Sequence, residues 1–151
     1  MRAPSGVPVL RLHHLGILVA DLDAALGFYG GGGPLGLNGE APHDAPEHDI
    51  RAVLLDVGDS HLEVFAPLTA DGPLARTLAK RGPGMHHVAY EVADIAAALD
   101  ACRAAGIELI DAAPRPGLHA GWRVAFLHPR SCGGVLTELL ETGTPWAGAG
   151  L

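Results

Sequence analysis

The chain carries an internal repeat, and this feature limits its possible folds more than any other. Residues 12–26 read LHHLGILVADLDAAL and residues 85–99 read MHHVAYEVADIAAAL, with eight of fifteen positions identical at an offset of 73. Farther along, Glu63 and Glu138 each lie within an apolar segment, at an offset of 75. Because self-similarity at a fixed offset is typical of repeated structural units, the sequence predicts two copies of one unit in tandem.

Both copies predict the same order of secondary structure. Each begins with a strand of alternating apolar residues, and an aspartate, Asp21 or Asp94, then precedes an apolar stripe at helical spacing. Three further strands follow, so that each copy is a βαβββ unit. The predicted strands cover residues 12–19, 37–41, 50–57 and 61–66 in the first copy and residues 85–92, 108–110, 122–127 and 135–140 in the second.

These two units indicate an α+β fold class and a simple domain organisation. Module one spans about residues 9–68 and module two about residues 83–142, with a short linker helix at about residues 71–81. A length of 151 residues, of which 48% are apolar, is typical of one domain covering residues 1–151. The glycine-rich tail after Glu141 is predicted to fray.

The composition argues against several classes of function. Ten lysines and arginines against 17 acidic residues give a net charge of −7, whereas binding to nucleic acid needs a basic face. No apolar run approaches the roughly 20 residues of a membrane span, so we expect no membrane partner. Two cysteines, Cys102 and Cys132, make no disulfide framework, and no signal-peptide pattern precedes them, which favours a cytoplasmic protein.

Four polar residues occur at matched places in the two copies: His14, Glu63, His87 and Glu138. A histidine on a strand is more often a hydrogen-bonding partner than a metal ligand, and a glutamate there often lies on a solvated face. Duplication of a fold, however, preserves glycines and apolar core residues more readily than histidines and glutamates. Two imidazoles and two carboxylates suit a six-coordinate divalent ion with two positions left for water or substrate. The neighbouring His13 and His86 are predicted to lie on the opposite strand face.

Five longer stretches surround these residues: LHHLGI at 12–17, LEVFAPL at 62–68, KRGPGMHHVA at 80–89, VAFLHPRS at 124–131 and GGVLTEL at 133–139. Together they resemble methylmalonyl-CoA epimerases of the glyoxalase-like vicinal oxygen chelate superfamily, over about residues 12–141. The resemblance implies two tandem βαβββ modules forming a curved, cup-like mixed sheet around a metal site. It also implies a homodimer, since relatives of this scaffold commonly pair.

The same resemblance implies the chemistry of the site. Its metal ligands fall on His14, Glu63, His87 and Glu138, which would hold one divalent ion, cobalt first, with nickel, manganese or zinc as alternatives. Epimerisation of methylmalonyl-CoA through an enolate needs an acid–base group on each side of the α carbon, and Glu138 is the first candidate for one of them. Glu63 and His48 are both candidates for the second acid–base group. Some family members carry a further glutamate where this chain has Ala52, so the chain departs from the family pattern at that position.

Other functions stay open at the level of sequence. A glyoxalase I-like or other metal-dependent enzyme on the same scaffold is the first alternative, and a small-molecule binding protein is a weaker one. A dioxygenase usually has two histidines and one carboxylate, so a fourth ligand at Glu63 argues against it. The phosphates of an acyl-CoA substrate would need cations, and the candidates are Lys80, Arg81, Arg115, Arg123 and Arg130.

Overall fold

The computed structural model describes residues 8–144. The predicted frayed tail therefore lies outside the described residues from position 145 onward. The chain packs as two compact units. Of the described residues, one unit contains 14–86 and the other contains 8–13 together with 87–144.

The first unit is a four-stranded mixed sheet with two helices. Its strand order is β2-β3-β4-β1, in which β1 runs parallel to β4 and the remaining pairs are antiparallel. Strand β1 contributes its second half to this unit. The elements are β1 (Val9–Leu18), α1 (Leu22–Tyr29), β2 (His43–Ala45), β3 (Ile50–Val57), β4 (Ser60–Pro67) and α2 (Pro73–Arg81).

The second unit repeats this arrangement with one helix. Its strand order is β5-β8-β7-β6, with β5 parallel to β8 and the other pairs antiparallel. A short 3₁₀ turn, Pro129–Ser131, precedes β8. The matching turn of the first unit, Pro46–His48, precedes β3. The elements are β5 (Gly84–Val92), α3 (Ile95–Ala104), β6 (Arg115–Pro116), β7 (Arg123–Leu127) and β8 (Thr137–Glu141).

Both predicted helix starts are confirmed. The Asp21 carboxylate accepts a hydrogen bond from the Ala24 N–H, and the Asp94 carboxylate accepts one from the Ala97 N–H at 3.0 Å. Each aspartate therefore satisfies a backbone donor that the first helical turn leaves without a partner. The linker helix is also present, as α2.

The two weakest predicted strands, at residues 37–41 and 108–110, are wrong. The first segment makes isolated bridges from Leu37 to Gly30 and from Gly39 to Leu55, and the second makes one from Leu109 to Leu127. The regular strands β2 and β6 come later in the chain. An acidic side chain interrupts the ladder in each unit. Glu40 accepts the Leu54 N–H at 3.1 Å, and Asp111 accepts the Phe126 N–H at 2.8 Å. A side-chain oxygen thus accepts a backbone N–H that would bond to a backbone carbonyl if the strand were continuous.

One face of each sheet forms an apolar core with its helix. In the first unit Leu22 of α1 packs on Val53, Leu55 and Val64, and in the second Leu99 of α3 packs in an equivalent cluster. Successive strand residues point to opposite faces, so the residues between these core positions lie on the face away from the helix. Both repeated glutamates belong to that second face.

Across residues 8–144, no helix is long and apolar enough to cross a membrane.

Candidate metal centre

The first unit brings together His14 and Glu63. They lie on the adjacent parallel strands β1 and β4, with His14 Nε2 and Glu63 Oε2 3.5 Å apart. Both side chains are buried, at 1% and 8% exposure. The register partner of Glu63 is Gly16, which has no side chain, so the imidazole two residues earlier on β1 can approach the carboxylate.

The second unit repeats this pair with His87 and Glu138. These residues lie on the parallel strands β5 and β8, and His87 Nε2 is 3.3 Å from Glu138 Oε2. They are also buried, at 5% and 6% exposure. The register partner of Glu138 is the small residue Ala89, as Gly16 is for Glu63. The sequence repeat is therefore a structural repeat at the level of side chains.

The donor atoms of the two pairs fit a divalent metal ion. The nitrogen and oxygen atoms of the two pairs are 3.3 and 3.5 Å apart, slightly more than the roughly 2.7–3.2 Å of an ordinary hydrogen bond. Burying an ionised carboxylate is costly unless a cation or strong donors compensate it. Imidazole nitrogen and carboxylate oxygen are ligands that cobalt, nickel, zinc and manganese accept. Each unit thus offers one nitrogen and one oxygen ligand.

The wall beside the second pair is formed by Phe126 and Arg115. Phe126 on β7 is the cross-strand partner of Glu138, and its ring meets the His87 ring edge-on with centroids 5.5 Å apart. The Arg115 guanidinium lies over the same ring, with Cζ 5.5 Å from the centroid. The sequence indicated Arg115 only as one of five candidate cations for the phosphates of an acyl-CoA. Its place follows from the register of the short strand β6, which the sequence pattern did not predict.

The other candidate cations of the second unit lie elsewhere. Arg123 and Phe126 are three residues apart on β7, so their side chains lie on opposite faces of the strand. On its own face Arg123 pairs with Glu141 at 3.7 Å. Arg130 is exposed and pairs with Glu108 at 3.5 Å. In the first unit, Lys80 and Arg81 occupy the last turn of α2.

The prediction that His86 lies on the opposite face is wrong. Its ring meets Phe65 edge-on at 5.3 Å, and Phe65 shares the face of Glu63. His13 is 1% exposed and meets Trp122 edge-on at 4.9 Å.

Of the two candidates for a second acid–base group, Glu63 lies on β4 and His48 lies in the turn between β2 and β3. His48 ends the 3₁₀ turn, and its Nε2 is buried with no hydrogen-bond partner among the described residues. Ala52 on β3 is fully buried, with His43 and Phe65 as its cross-strand partners. Position 52 therefore lies on the face of Glu63, where a carboxylate would have a titratable neighbour in His43.

The two cysteines belong to the core of the second unit. Cys102 and Cys132 both pack against the cluster around α3. Burial raises the pKa of the Cys102 thiol above its ordinary value, and Cys132 raises it further. A raised pKa reduces the thiolate fraction, so Cys102 is not built as a nucleophile.

The chain matches a known family along most of its length. The family model of the Glyoxalase/Bleomycin resistance protein/Dioxygenase superfamily matches residues 13–126. The chain belongs to this superfamily. This chain is similar to the mitochondrial methylmalonyl-CoA epimerase of Bos taurus, which is 38% identical over 130 residues, covering 85% of this chain and 73% of the relative. The ethylmalonyl-CoA/methylmalonyl-CoA epimerase of Cereibacter sphaeroides is also 38% identical, over 85% of this chain and 96% of its own length.

Solved structures of methylmalonyl-CoA epimerases are also similar to this chain. Methylmalonyl-CoA epimerase from Mycobacterium tuberculosis matches with a TM-score of 0.80 and 36% identity, covering 99% of this chain and 97% of that one. A variant of the Streptomyces coelicolor methylmalonyl-CoA epimerase, in complex with 2-nitronate-propionyl-CoA, matches with a TM-score of 0.82 and 34% identity, over 93% and 99% of the two chains. The predicted fold class and family are thereby confirmed.

Proposed function

We propose that this protein is an isomerase that epimerises methylmalonyl-CoA by removing and returning the α proton through an enolate. The observation that carries the proposal is the buried histidine–glutamate pair that recurs in each unit. Relatives that bear the name of this activity, at 38% identity over most of the chain, support the choice of substrate. An acyl-CoA thioester is therefore the proposed partner molecule.

The proposal includes one divalent ion per chain, bound by both pairs together: His14, Glu63, His87 and Glu138. Cobalt is the first candidate, and nickel, manganese and zinc accept the same ligands. When bound, the ion would supply positive charge beside the thioester oxygen, where negative charge develops as the α proton leaves.

Glu138 is the proposed base that takes the α proton. Its carboxylate is buried, with His87 Nε2 3.3 Å away and Phe126 as its cross-strand partner. Epimerisation also needs a proton delivered to the opposite side of the α carbon. Glu63 and His48 are the candidates for that step. Glu63 lies on the face of the first sheet that points away from the helix, and the buried Nε2 of His48 can accept a proton.

The decisive experiment is turnover of a single epimer of methylmalonyl-CoA in D₂O by the cobalt-loaded protein. We expect deuterium at the α carbon and formation of the other epimer. The hemithioacetal of glutathione and methylglyoxal is assayed in parallel. Conversion of the hemithioacetal alone would replace the proposal with a glyoxalase I-like activity, and absence of both reactions would contradict an epimerase.

A Glu138→Gln variant tests the assigned base, because the amide keeps the shape of the side chain but cannot accept the proton. We expect α-deuterium incorporation to fall by at least about 100-fold, the lower end of the usual contribution of acid–base catalysis. Metal content is measured on the same sample, since Glu138 is also a proposed ligand. A variant that retains its metal and exchanges at the wild-type rate would contradict the assignment.

The proposal also includes a cytoplasmic homodimer. Leu12, Tyr90 and Val135 are apolar residues of the second unit with 38%, 37% and 44% of their surface exposed, and a dimer interface would cover such side chains. A light-scattering mass near 15.5 kDa, the mass of one chain, at micromolar concentration would contradict the dimer.

A further inference from the structure

We propose that Arg115 binds the free carboxylate of the acyl group, and so selects malonyl-type thioesters from other CoA thioesters. The inference rests on the proposed function. It concerns a group that methylmalonyl-CoA has and that a simple acyl-CoA lacks. The observations that support it all lie within the second unit.

Arg115 lies on the same sheet face as Glu138. Arg115 on β6 pairs in register with Val124 on β7, and Phe126, two residues farther along β7, pairs with Glu138 on β8. Partners in a ladder and residues two apart on a strand share one face. The contact between the Arg115 guanidinium and the Phe126 ring agrees with this register.

The guanidinium is held in one orientation from two sides. Its Nε donates to the Asp111 carboxylate at 3.2 Å, and Asp111 is itself fixed by the Phe126 N–H at 2.8 Å. The Phe126 ring lies beneath the guanidinium plane. Among residues 8–144, Asp111 is the acidic partner of Arg115, and it occupies the Nε side only. The two terminal nitrogens can therefore form a two-point interaction with an incoming carboxylate.

The other arginines of this unit are less suitable. Arg11 is directed at Glu91, which is 2% exposed, with Nε 2.8 Å from the carboxylate oxygen. Arg123 lies on the opposite face and Arg130 pairs with Glu108. Arg103 on α3 pairs with Asp100 and donates to the Ala112 carbonyl, both at 2.8 Å. Among the described arginines of this unit, Arg115 is thus the one that lies on the face of Glu138 with part of its hydrogen-bonding capacity left for a ligand, and its side chain is 42% exposed.

A cation at this place also assists the proposed reaction. The free carboxylate of methylmalonyl-CoA is attached to the α carbon, so its negative charge opposes removal of the α proton. An arginine paired with that carboxylate lowers this repulsion as the enolate forms. Arg115 would therefore contribute both to selection of the substrate and to the rate of proton removal.

The test compares two ligands that differ in this carboxylate. Binding of malonyl-CoA and of propionyl-CoA to the cobalt-loaded protein is measured by calorimetry for the wild type and for Arg115→Gln. We expect the substitution to weaken malonyl-CoA binding about 10- to 100-fold, the usual range for a charged hydrogen-bonded pair, and to change propionyl-CoA binding less than about twofold. Arg115→Lys should recover part of the loss, because it restores the charge but not the two-point geometry.

Arg123→Gln is the matched control, since it removes the same charge from the opposite face of the neighbouring strand. It should leave the preference for malonyl-CoA unchanged, and metal content and thermal midpoint are compared for all variants. Equal losses for both ligands in Arg115→Gln would mean that Arg115 binds the CoA phosphates, which overturns the inference. No loss for either ligand overturns it as well. Wild-type protein that binds neither thioester contradicts the proposed function itself, and this outcome is distinct from a selective failure of Arg115.

Discussion

The His87 ring meets the Phe126 ring edge-on, with their centroids 5.5 Å apart. Phe126 is also the cross-strand partner of Glu138, the other member of the pair. One aromatic side chain therefore packs against the histidine and neighbours the glutamate. Rings in this geometry attract each other weakly and restrict each other's rotation, so Phe126 orients the imidazole toward the carboxylate.

Replacement of Phe126 by leucine should weaken metal binding without removing a ligand. Leucine keeps the residue apolar but lacks the ring edge that orients His87, and loss of such supporting contacts typically costs about 10- to 100-fold in metal affinity. Cobalt titration calorimetry measures the change. Phe28→Leu, at a half-exposed position on α1, serves as the control. Equal cobalt affinity in wild type and Phe126→Leu would contradict this role.

His14→Ala and His87→Ala should each lower the metal content of the purified protein. Each variant leaves a buried glutamate without its imidazole and takes one of four proposed ligands from the ion. Elemental analysis of protein loaded with cobalt and then desalted gives the metal content per chain. The His128→Ala variant, which removes only the side chain that caps a 3₁₀ turn, should keep a full equivalent. If both single variants also keep a full equivalent, the metal site lies elsewhere.

Ala52→Glu should change the balance between proton exchange and inversion. If the wild type exchanges the α proton faster than it epimerises, a carboxylate on the Glu63 face would provide the missing proton carrier and raise the rate of epimerisation. The variant should also unfold more easily, because position 52 is fully buried and an ionised carboxylate there carries a penalty of about several kcal/mol. Ala52→Gln, similar in size but unable to carry the proton, is the control. A wild type that exchanges faster than it inverts, with no gain in Ala52→Glu, would contradict the prediction.

Asp94→Ala should destabilise the protein by about 1 kcal/mol, since it removes the hydrogen bond to the Ala97 N–H at the start of α3. Asp100→Ala lies on the same helix and removes only an exposed ion pair with Arg103, so its effect should stay below about 0.5 kcal/mol. Urea unfolding of the three proteins measures both values. Equal stability of Asp94→Ala and the wild type would show that the cap adds nothing.

The Cys102 thiol should react slowly with iodoacetamide at neutral pH. Its pKa lies above the ordinary value, chiefly because of burial, so less thiolate is present than in an exposed cysteine. The reaction is followed in a Cys132→Ser variant, which leaves Cys102 as the reactive thiol, and the rate should keep rising beyond the pH at which free cysteine reaches its plateau. Alkylation as fast as that of free cysteine would exclude a raised pKa.

The elements that follow from hydrophobic alternation or helix capping could be predicted from the sequence, and so could the two pairs, because the repeat aligned them. Strands β2 and β6 could not. Glu40 and Asp111 each bind a strand N–H through a side chain, and periodicity carries no sign of such a bond. The position of Arg115 was missed for the same reason, since it depends on the register of β6.

The boundary between the sequence repeats and the boundary between the packing units do not coincide. Residues 8–13 pack with the second unit, where Arg11 donates to the buried Glu91 at 2.8 Å. A half-length polypeptide that began at residue 83 would keep this carboxylate but lose the guanidinium that neutralises it. Severing the gene between its repeats would therefore yield a second half whose buried carboxylate lacks its arginine, so folding of that half depends on residues encoded in the first.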